Sequence, residues 1–129
     1  MTTGAELSRL SLNQRTTPSW SLPEAVEGCV EAGLGAIGVW REQVAEVGFD
    51  EACRLVAEAG LRVSSLCRGG FFTAADPAEA QAALASNREA IDEAAGLSAA
   101  TLVLVAGGLP AGDRDLEAAR DRAASAIER

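Results

Sequence analysis

The residues best suited to chemistry follow four short apolar runs. They occupy positions 13–15, 40–42, 67–72 and 107–110, and they include an amide, arginines, a tryptophan and two glycine pairs. Arginine can hold a carboxylate or a phosphate, tryptophan can stack on a sugar face, and glycine lets a ligand approach the backbone. If the runs are parallel strands, these groups converge at the edge of the sheet where such folds bind ligands. Ordinary turns with solvated arginines are the alternative interpretation.

Arg68 and Cys67 are the most specific single candidates. Strand alternation places Ser64, Leu66 and Arg68 on one face of the third strand, so an interior face would put Arg68 at the mouth of a site. If that face meets helices instead, Arg68 extends past them to water. For Cys67, a buried or substrate-contacting role is favoured over a nucleophile, because a reactive thiol needs a lowered pKa.

The composition excludes several kinds of active site from these 129 residues. All 11 basic residues are arginine, and the sequence contains no histidine, lysine or tyrosine. A histidine base, a histidine metal ligand, a Schiff-base lysine and a tyrosine acid are therefore excluded. The 19 acidic residues give a net charge of −8, which argues against a nucleic-acid partner.

The carboxylates are poorly placed for catalysis. Asp76, Asp113 and Asp115 have the positions of helix caps, and Glu42 is the one acid near a strand end. The sequence shows no pair suited to general acid–base work and no cluster with metal-ligand spacing. We therefore expect this chain to hold no metal by itself.

Four strands alternating with four helices would position these residues. Apolar runs suited to buried parallel strands cover residues 9–13, 36–40, 61–67 and 101–106. Helices are predicted from a capping box at Ser21, from Phe49 or Asp50, from Asp76 to Gly96, and from Asp113 or Asp115 through Ile127. The sequence Glu-Ala-Gly-Leu recurs at 31–34 and 58–61, and loosely at 94–97, where helices end and strands begin. The chain therefore repeats one structural unit.

This order is compatible with two parallel α/β architectures. One is a small doubly wound sheet, and the other is half of a (β/α)8 barrel, whose usual length is roughly 250 residues.

Residues 33–38 match the spacing GxGxxG, but they leave a helix and enter a strand, the reverse of a dinucleotide site. Helix capping and close strand packing explain these glycines better.

The cysteines and the N-terminus predict the cellular location. Cys29, Cys53 and Cys67 are odd in number and lack CxxC spacing, which is typical of free thiols in a reducing compartment. The N-terminus lacks a signal-peptide pattern, and no apolar run approaches the ~18 residues of a membrane span. We therefore expect a cytoplasmic protein without a membrane partner.

Several segments give the chain a family resemblance. They are residues 10–13, 35–40, 64–73, 87–97 and 102–108. Together they resemble the xylose-isomerase-like (β/α)8 superfamily, and most of all its proteins called sugar phosphate isomerase/epimerase. The resemblance extends over nearly the whole chain but covers four βα units, so residues 1–129 are expected to form the N-terminal half of a TIM barrel.

The resemblance implies an activity and divides it between two halves. In the superfamily a divalent metal, held by carboxylates and an imidazole on the later strands, organises a hydroxy-ketone while two glutamates move protons. For this chain it implies Mn, Mg, Co or Zn on the missing half, and a sugar or sugar phosphate as substrate. The first half lines the pocket, which by position implicates Asn13, Trp40, Cys67, Arg68 and Gly107 in substrate binding.

A half barrel cannot close on itself. Its first and fourth strands have unpaired edges, and its inner face lies open to water. We therefore expect a second chain, a fragment or a second copy to supply strands five to eight. The chain would then be the substrate-binding half of an isomerase or epimerase. A non-catalytic scaffold or small-ligand-binding subunit, and an independent doubly wound domain, are the alternatives.

Overall fold

The computed structural model describes residues 7–129, in which four strands alternate with helices. In chain order the elements are β1 (Leu12–Asn13), a 3-10 turn (Gln14–Thr16), α1 (Leu22–Glu31), β2 (Ala36–Trp40), α2 (Arg41–Val47), α3 (Phe49–Glu58), β3 (Arg62–Gly70), α4 (Pro77–Gly96), β4 (Leu102–Val105) and α5 (Leu116–Ile127). The predicted alternation is confirmed. The sequence did not predict α2, and β1 is shorter and β3 longer than expected.

Side-chain caps fix the helix starts that the sequence predicted. Ser21 and Glu24 form a reciprocal capping box, in which the Glu24 carboxylate accepts from the Ser21 backbone N–H at 2.7 Å. This hydrogen bond from Ser21 lowers the pKa of Glu24. Asp76 accepts from the third residue of α4 at 2.9 Å, and Asp115 accepts from the third residue of α5 at 3.0 Å. None of the helices in residues 7–129 is both long and apolar enough to cross a membrane.

The order of the strands distinguishes the two predicted architectures. All neighbouring strands are parallel, and their order is β1-β2-β3-β4. A doubly wound sheet reverses direction at a switch point, whereas this sheet adds each strand on the same side. With right-handed crossovers, such an order leaves every helix on one face. The structure is therefore a four-stranded parallel half of a TIM barrel, and the doubly wound alternative is wrong.

The hydrophobic core lies between the sheet and the helices. Ile37 and Val39 of β2 and Leu66 of β3 are fully buried there, against Leu22 and Cys29 of α1. The opposite face, which would line a barrel interior, includes Gly38 of β2 and its register partner Ser65 of β3. A Cβ on Gly38 would lie 3.0 Å from the hydroxyl of Ser65.

Two bulges in β3 change the face on which its residues lie. Ser64 is an extra residue against β2, and Arg68 is an extra residue against β4. The predicted alternation of Ser64, Leu66 and Arg68 is therefore wrong, since each extra residue shifts the pattern by one position. Leu66 is buried in the helix-side core, whereas the Ser64 hydroxyl lies 2.7 Å from that of Ser11.

A buried amide fastens the end of β3 to α4. Asn87 is 8% exposed, accepts from the Gly70 N–H at 2.6 Å and donates to the Gly70 carbonyl at 2.8 Å. Its amide also donates to the Ala83 carbonyl at 2.7 Å. A Cβ on Gly69 would lie 2.6 Å from the Asn87 oxygen, and one on Gly70 would collide with the Val105 carbonyl. The glycine pair therefore allows close packing within the protein, where the sequence analysis had suggested access for a ligand.

The outer strand β4 is apolar and incompletely covered. Val103, Leu104 and Val105 remain 39%, 46% and 39% exposed. Within residues 7–129, β4 pairs with β3 and with no other strand. Its second edge therefore presents backbone groups that are free to pair with a further strand.

Replacing Asn87 with Ala should lower the free energy of unfolding by about 2–3 kcal/mol, because two Gly70 backbone groups lose their buried partner. Urea denaturation of the protein in its assembled form measures this. Gln81→Ala is the matched control, since Gln81 is an exposed amide on the same helix, and it should change stability by less than about 0.5 kcal/mol. Equal losses in the two variants would contradict the assigned role of Asn87.

Candidate functional site

Trp40 is the centre of the polar groups at the carboxyl ends of the strands. It ends β2, and its indole Nε1 donates to the Asn13 side-chain oxygen at 2.9 Å. The same oxygen accepts from the Arg15 backbone N–H at 3.0 Å. Asn13 therefore both caps the 3-10 turn and orients the indole. The structure thus brings two predicted site residues, Asn13 and Trp40, into direct contact.

The buried side chain of Gln14 holds the backbone of Trp40. It is 1% exposed, and its side-chain oxygen accepts from the Trp40 backbone N–H at 3.2 Å. Its Nε2 is buried and has no hydrogen-bond partner among residues 7–129. Gln14 lies in the predicted rim segment 13–15 but is not one of the predicted site residues, because glutamine is usually exposed and a single amide after a strand gives no sign of burial.

Two guanidinium groups approach the Trp40 ring. The Arg15 Cζ lies 4.9 Å from the ring centre, and the Arg68 Cζ lies 5.7 Å from it. Arg68 also lies 5.2 Å from the centre of the Phe71 ring. The structure therefore brings Arg68 to Asn13 and Trp40. Arg15 and Phe71 also belong to this cluster, although they were not among the predicted site residues. The feature of the sequence that could have identified them is their position in the segments that follow strands.

Cys67 lies beside this cluster but is protected from reaction. It pairs in register with Trp40 on the neighbouring strand and is 8% exposed. Burial raises the pKa of the Cys67 thiol, the Arg68 charge opposes this, and the Glu42 charge adds to it. Because the net shift is upward, the group is a neutral thiol at neutral pH, which suits packing or contact better than nucleophilic attack.

Gly107 lies apart from the cluster, in the loop after β4. Its φ of 108° is a conformation that side chains rarely adopt, and an added Cβ would lie 2.7 Å from the Thr73 hydroxyl oxygen. Arg122 of α5 holds the same loop region by donating to the Thr73 carbonyl at 3.0 Å and to the Asp113 carboxylate at 3.2 Å. The structure therefore gives Gly107 a role in loop closure, and a substrate contact there stays a prediction.

A cavity of about 380 Å³ adjoins Arg68 on the side of α4. Arg41, Glu42, Arg68, Phe71 and Glu93 are among its lining residues. Arg41 is held by Glu93 through two hydrogen bonds of 2.6 and 3.1 Å, which raise the pKa of its guanidinium and neutralise its charge locally. Arg68 is therefore the cation in this wall that is not already paired.

The described residues do not fit a metal centre. No three His, Cys, Asp or Glu side chains come together within residues 7–129. The cluster around Trp40 offers an amide, an indole and guanidinium groups, and guanidinium cannot serve as a metal ligand because it has no free lone pair. Metal chemistry in this half would need ligands from elsewhere.

Known proteins share the fold and part of the sequence of this chain. A family model described as xylose isomerase-like TIM barrel matches residues 26–129. The chain belongs to this family. No curated protein matches the chain. Membership of the xylose isomerase-like family agrees with the parallel half barrel and confirms the resemblance in sequence.

Several solved structures are similar to this chain. The crystal structure of protein SMc04130 from Sinorhizobium meliloti 1021 is 46% identical, with a TM-score of 0.90 over 94% of this chain and 44% of that chain. A D-psicose 3-epimerase studied in the presence of D-fructose has a TM-score of 0.73 at 15% identity, over 91% of this chain and 45% of that one.

A D-allulose 3-epimerase from Methylomonas sp., in complex with D-allulose, has a TM-score of 0.69 at 20% identity, over 92% of this chain and 44% of that one. At these identities the two epimerases support the fold alone. The xylose isomerase-like chain spans less than half the length of each of these three structures.

Replacing Gly107 with Ala should lower the free energy of unfolding by about 1–3 kcal/mol, because φ is positive and Thr73 is close. Gly108→Ala is the control, since no atom lies within 4 Å of a Cβ there, and it should be nearly neutral. The measurement is urea unfolding of both variants. If both replacements leave stability unchanged, Gly107 is not needed for loop closure.

Proposed function

We propose that the chain is the substrate-binding half of a sugar isomerase or epimerase of the xylose isomerase-like family. Family membership over residues 26–129 supports an isomerase-like activity, and two structural relatives are epimerases. One of those relatives is in complex with D-allulose, and the other was studied with D-fructose. The observation that carries the proposal is an indole held in a fixed orientation at the ligand-binding rim.

The inner face offers the contacts that a polyhydroxylated substrate needs. Trp40 presents a flat ring, and Asn13 keeps that ring from rotating. Nearby, the hydroxyl groups of Ser11 and Ser64 form a pair 2.7 Å apart, and either can exchange that bond for one with a sugar hydroxyl. A few placed polar groups beside an aromatic surface are typical of small-molecule sites.

The reacting groups are assigned to the other half of the barrel. Isomerisation and epimerisation of a hydroxy-ketone require a proton to leave and return at a carbon beside the carbonyl. The amide, indole, hydroxyl and guanidinium groups of this half are poorly suited to general acid–base catalysis, since such groups ordinarily do not ionise near neutral pH. A bound divalent metal such as Mn, Mg, Co or Zn would polarise the substrate oxygens. We propose that its ligands and the catalytic acids lie on strands five to eight.

Completion of the barrel is part of the proposal. The exposed β4 edge and the open inner face call for four further βα units, from a second chain, from a fragment or from a second copy. Lengths of relatives more than twice that of this chain support this view. A cytoplasmic location is proposed as well, and the three free cysteines agree with a reducing compartment.

The assembled protein should exchange solvent deuterium into D-fructose, D-allulose or a phosphate ester of either sugar, at the carbon beside the carbonyl, as NMR would detect. Exchange should stop when a chelator removes divalent metal, and it should return when Mn is added. Trp40→Ala should raise KM at least about tenfold, equivalent to 1.4 kcal/mol, with a smaller effect on kcat. Trp20→Ala is the control, because Trp20 packs on Gly28 of α1, away from the rim.

A metal-free assembly that exchanges no deuterium into D-fructose, D-allulose or their phosphate esters would refute the enzyme and favour the scaffold. If exchange occurs and Trp40→Ala behaves like Trp20→Ala, the activity stands and the binding role of Trp40 is wrong.

A further inference from the structure

We propose that Arg15, Trp40 and Arg68 form a subsite that binds an anionic group of the substrate, either a phosphate or a carboxylate. The inference rests on the proposed function, since it concerns the same rim of the half barrel. It also narrows that function. D-fructose and D-allulose, which accompany two structural relatives, are uncharged, whereas the substrate inferred for this chain carries a negative charge.

Two guanidinium groups approach the same indole ring from different parts of the chain. Arg15 reaches the indole from the turn after β1, and Arg68 reaches it from the second bulge of β3. Their Cζ atoms lie 4.9 and 5.7 Å from one ring centre. A cation–π contact at an exposed position is weak, whereas charge-assisted hydrogen bonds to an anion are strong, so a bound anion would stabilise each guanidinium more than the ring does.

Neither of these two guanidinium groups has an acidic partner within residues 7–129. The arginines that do pair with carboxylates in this part of the chain are Arg41, Arg54, Arg120 and Arg122. With 19 acidic residues and a net charge of −8, the protein has no shortage of carboxylates. Five other arginines lack an acidic partner within residues 7–129, and each is an exposed side chain that shares no ring with a second arginine; they are Arg9, Arg62, Arg88, Arg114 and Arg129.

The surrounding charges indicate where the anion would sit. Glu42 lines the cavity on the α4 side of Arg68, and its charge contributes to raising the pKa of Cys67. Arg41 in the same cavity is already neutralised by Glu93. An anion is therefore disfavoured on the Glu42 side and favoured on the side of Arg68 that faces Trp40 and Arg15. Guanidinium groups bind phosphate and carboxylate through two parallel hydrogen bonds, so either anion suits this site.

The test measures binding of inorganic phosphate, acetate and D-fructose to the assembled protein by ligand-observed NMR at constant ionic strength. Saturable binding of phosphate or acetate is expected. Arg15→Gln and Arg68→Gln should each raise its Kd at least about tenfold, whereas Arg68→Lys, which keeps the charge, should raise it less. Arg88→Gln, on the exposed face of α4, is the matched control and should leave the Kd unchanged. Circular dichroism of each variant confirms that it folds.

The outcomes separate this inference from the proposed function. Tighter binding of phosphate identifies a phosphate ester as the substrate group, and tighter binding of acetate identifies a carboxylate. The inference is overturned if neither anion binds, or if Arg15→Gln and Arg68→Gln bind the anions as tightly as the unmodified protein does. This holds even when D-fructose binds and is epimerised. If the anions bind as expected and no sugar exchanges deuterium, the subsite stands and the proposed function fails.

Discussion

Packing on one side of the sheet is the constraint on which the rest of this structure depends. The helices cover one face of four parallel strands, and the core residues of β2 and β3 lie on that face. The other face and the β4 edge have no cover among residues 7–129. Burying Val103 and Val105 under a neighbouring strand would contribute on the order of 1 kcal/mol each, in addition to the backbone hydrogen bonds of a new strand pair.

The same openness explains why the polar cluster is accessible. Trp40 lies at the boundary between the inner face and the rim, where Asn13 fixes its ring and Gln14 fixes its backbone. The two bulges of β3 then determine which side chains reach it. Without the extra residue at position 68, the second register shift would be absent and the last residues of β3 would face the opposite way. Irregularity in one strand therefore creates the arrangement that we assign to binding.

Local rules predicted much of the fold, and they failed where distant contacts decide. The capping box at Ser21 and the parallel alternation of strands with helices follow from nearby residues and from crossover handedness, whereas the strand order that separates the two architectures comes from the structure. The bulge at Ser64 depends on how two strands meet, which alternation within one strand cannot reveal. Burial of Gln14 and Asn87 depends on contacts 26 and 17 residues away. Helix α2 was missed because it is short and begins at a residue without a side-chain cap.

Sedimentation of residues 1–129 alone, combined with urea unfolding over a range of protein concentrations, tests most directly whether this half barrel depends on further βα units. The account predicts that the isolated chain self-associates, or loses cooperative unfolding, and that a completing half restores a single stable species. A 13.2 kDa monomer that unfolds cooperatively, with the same midpoint at every concentration, would contradict it.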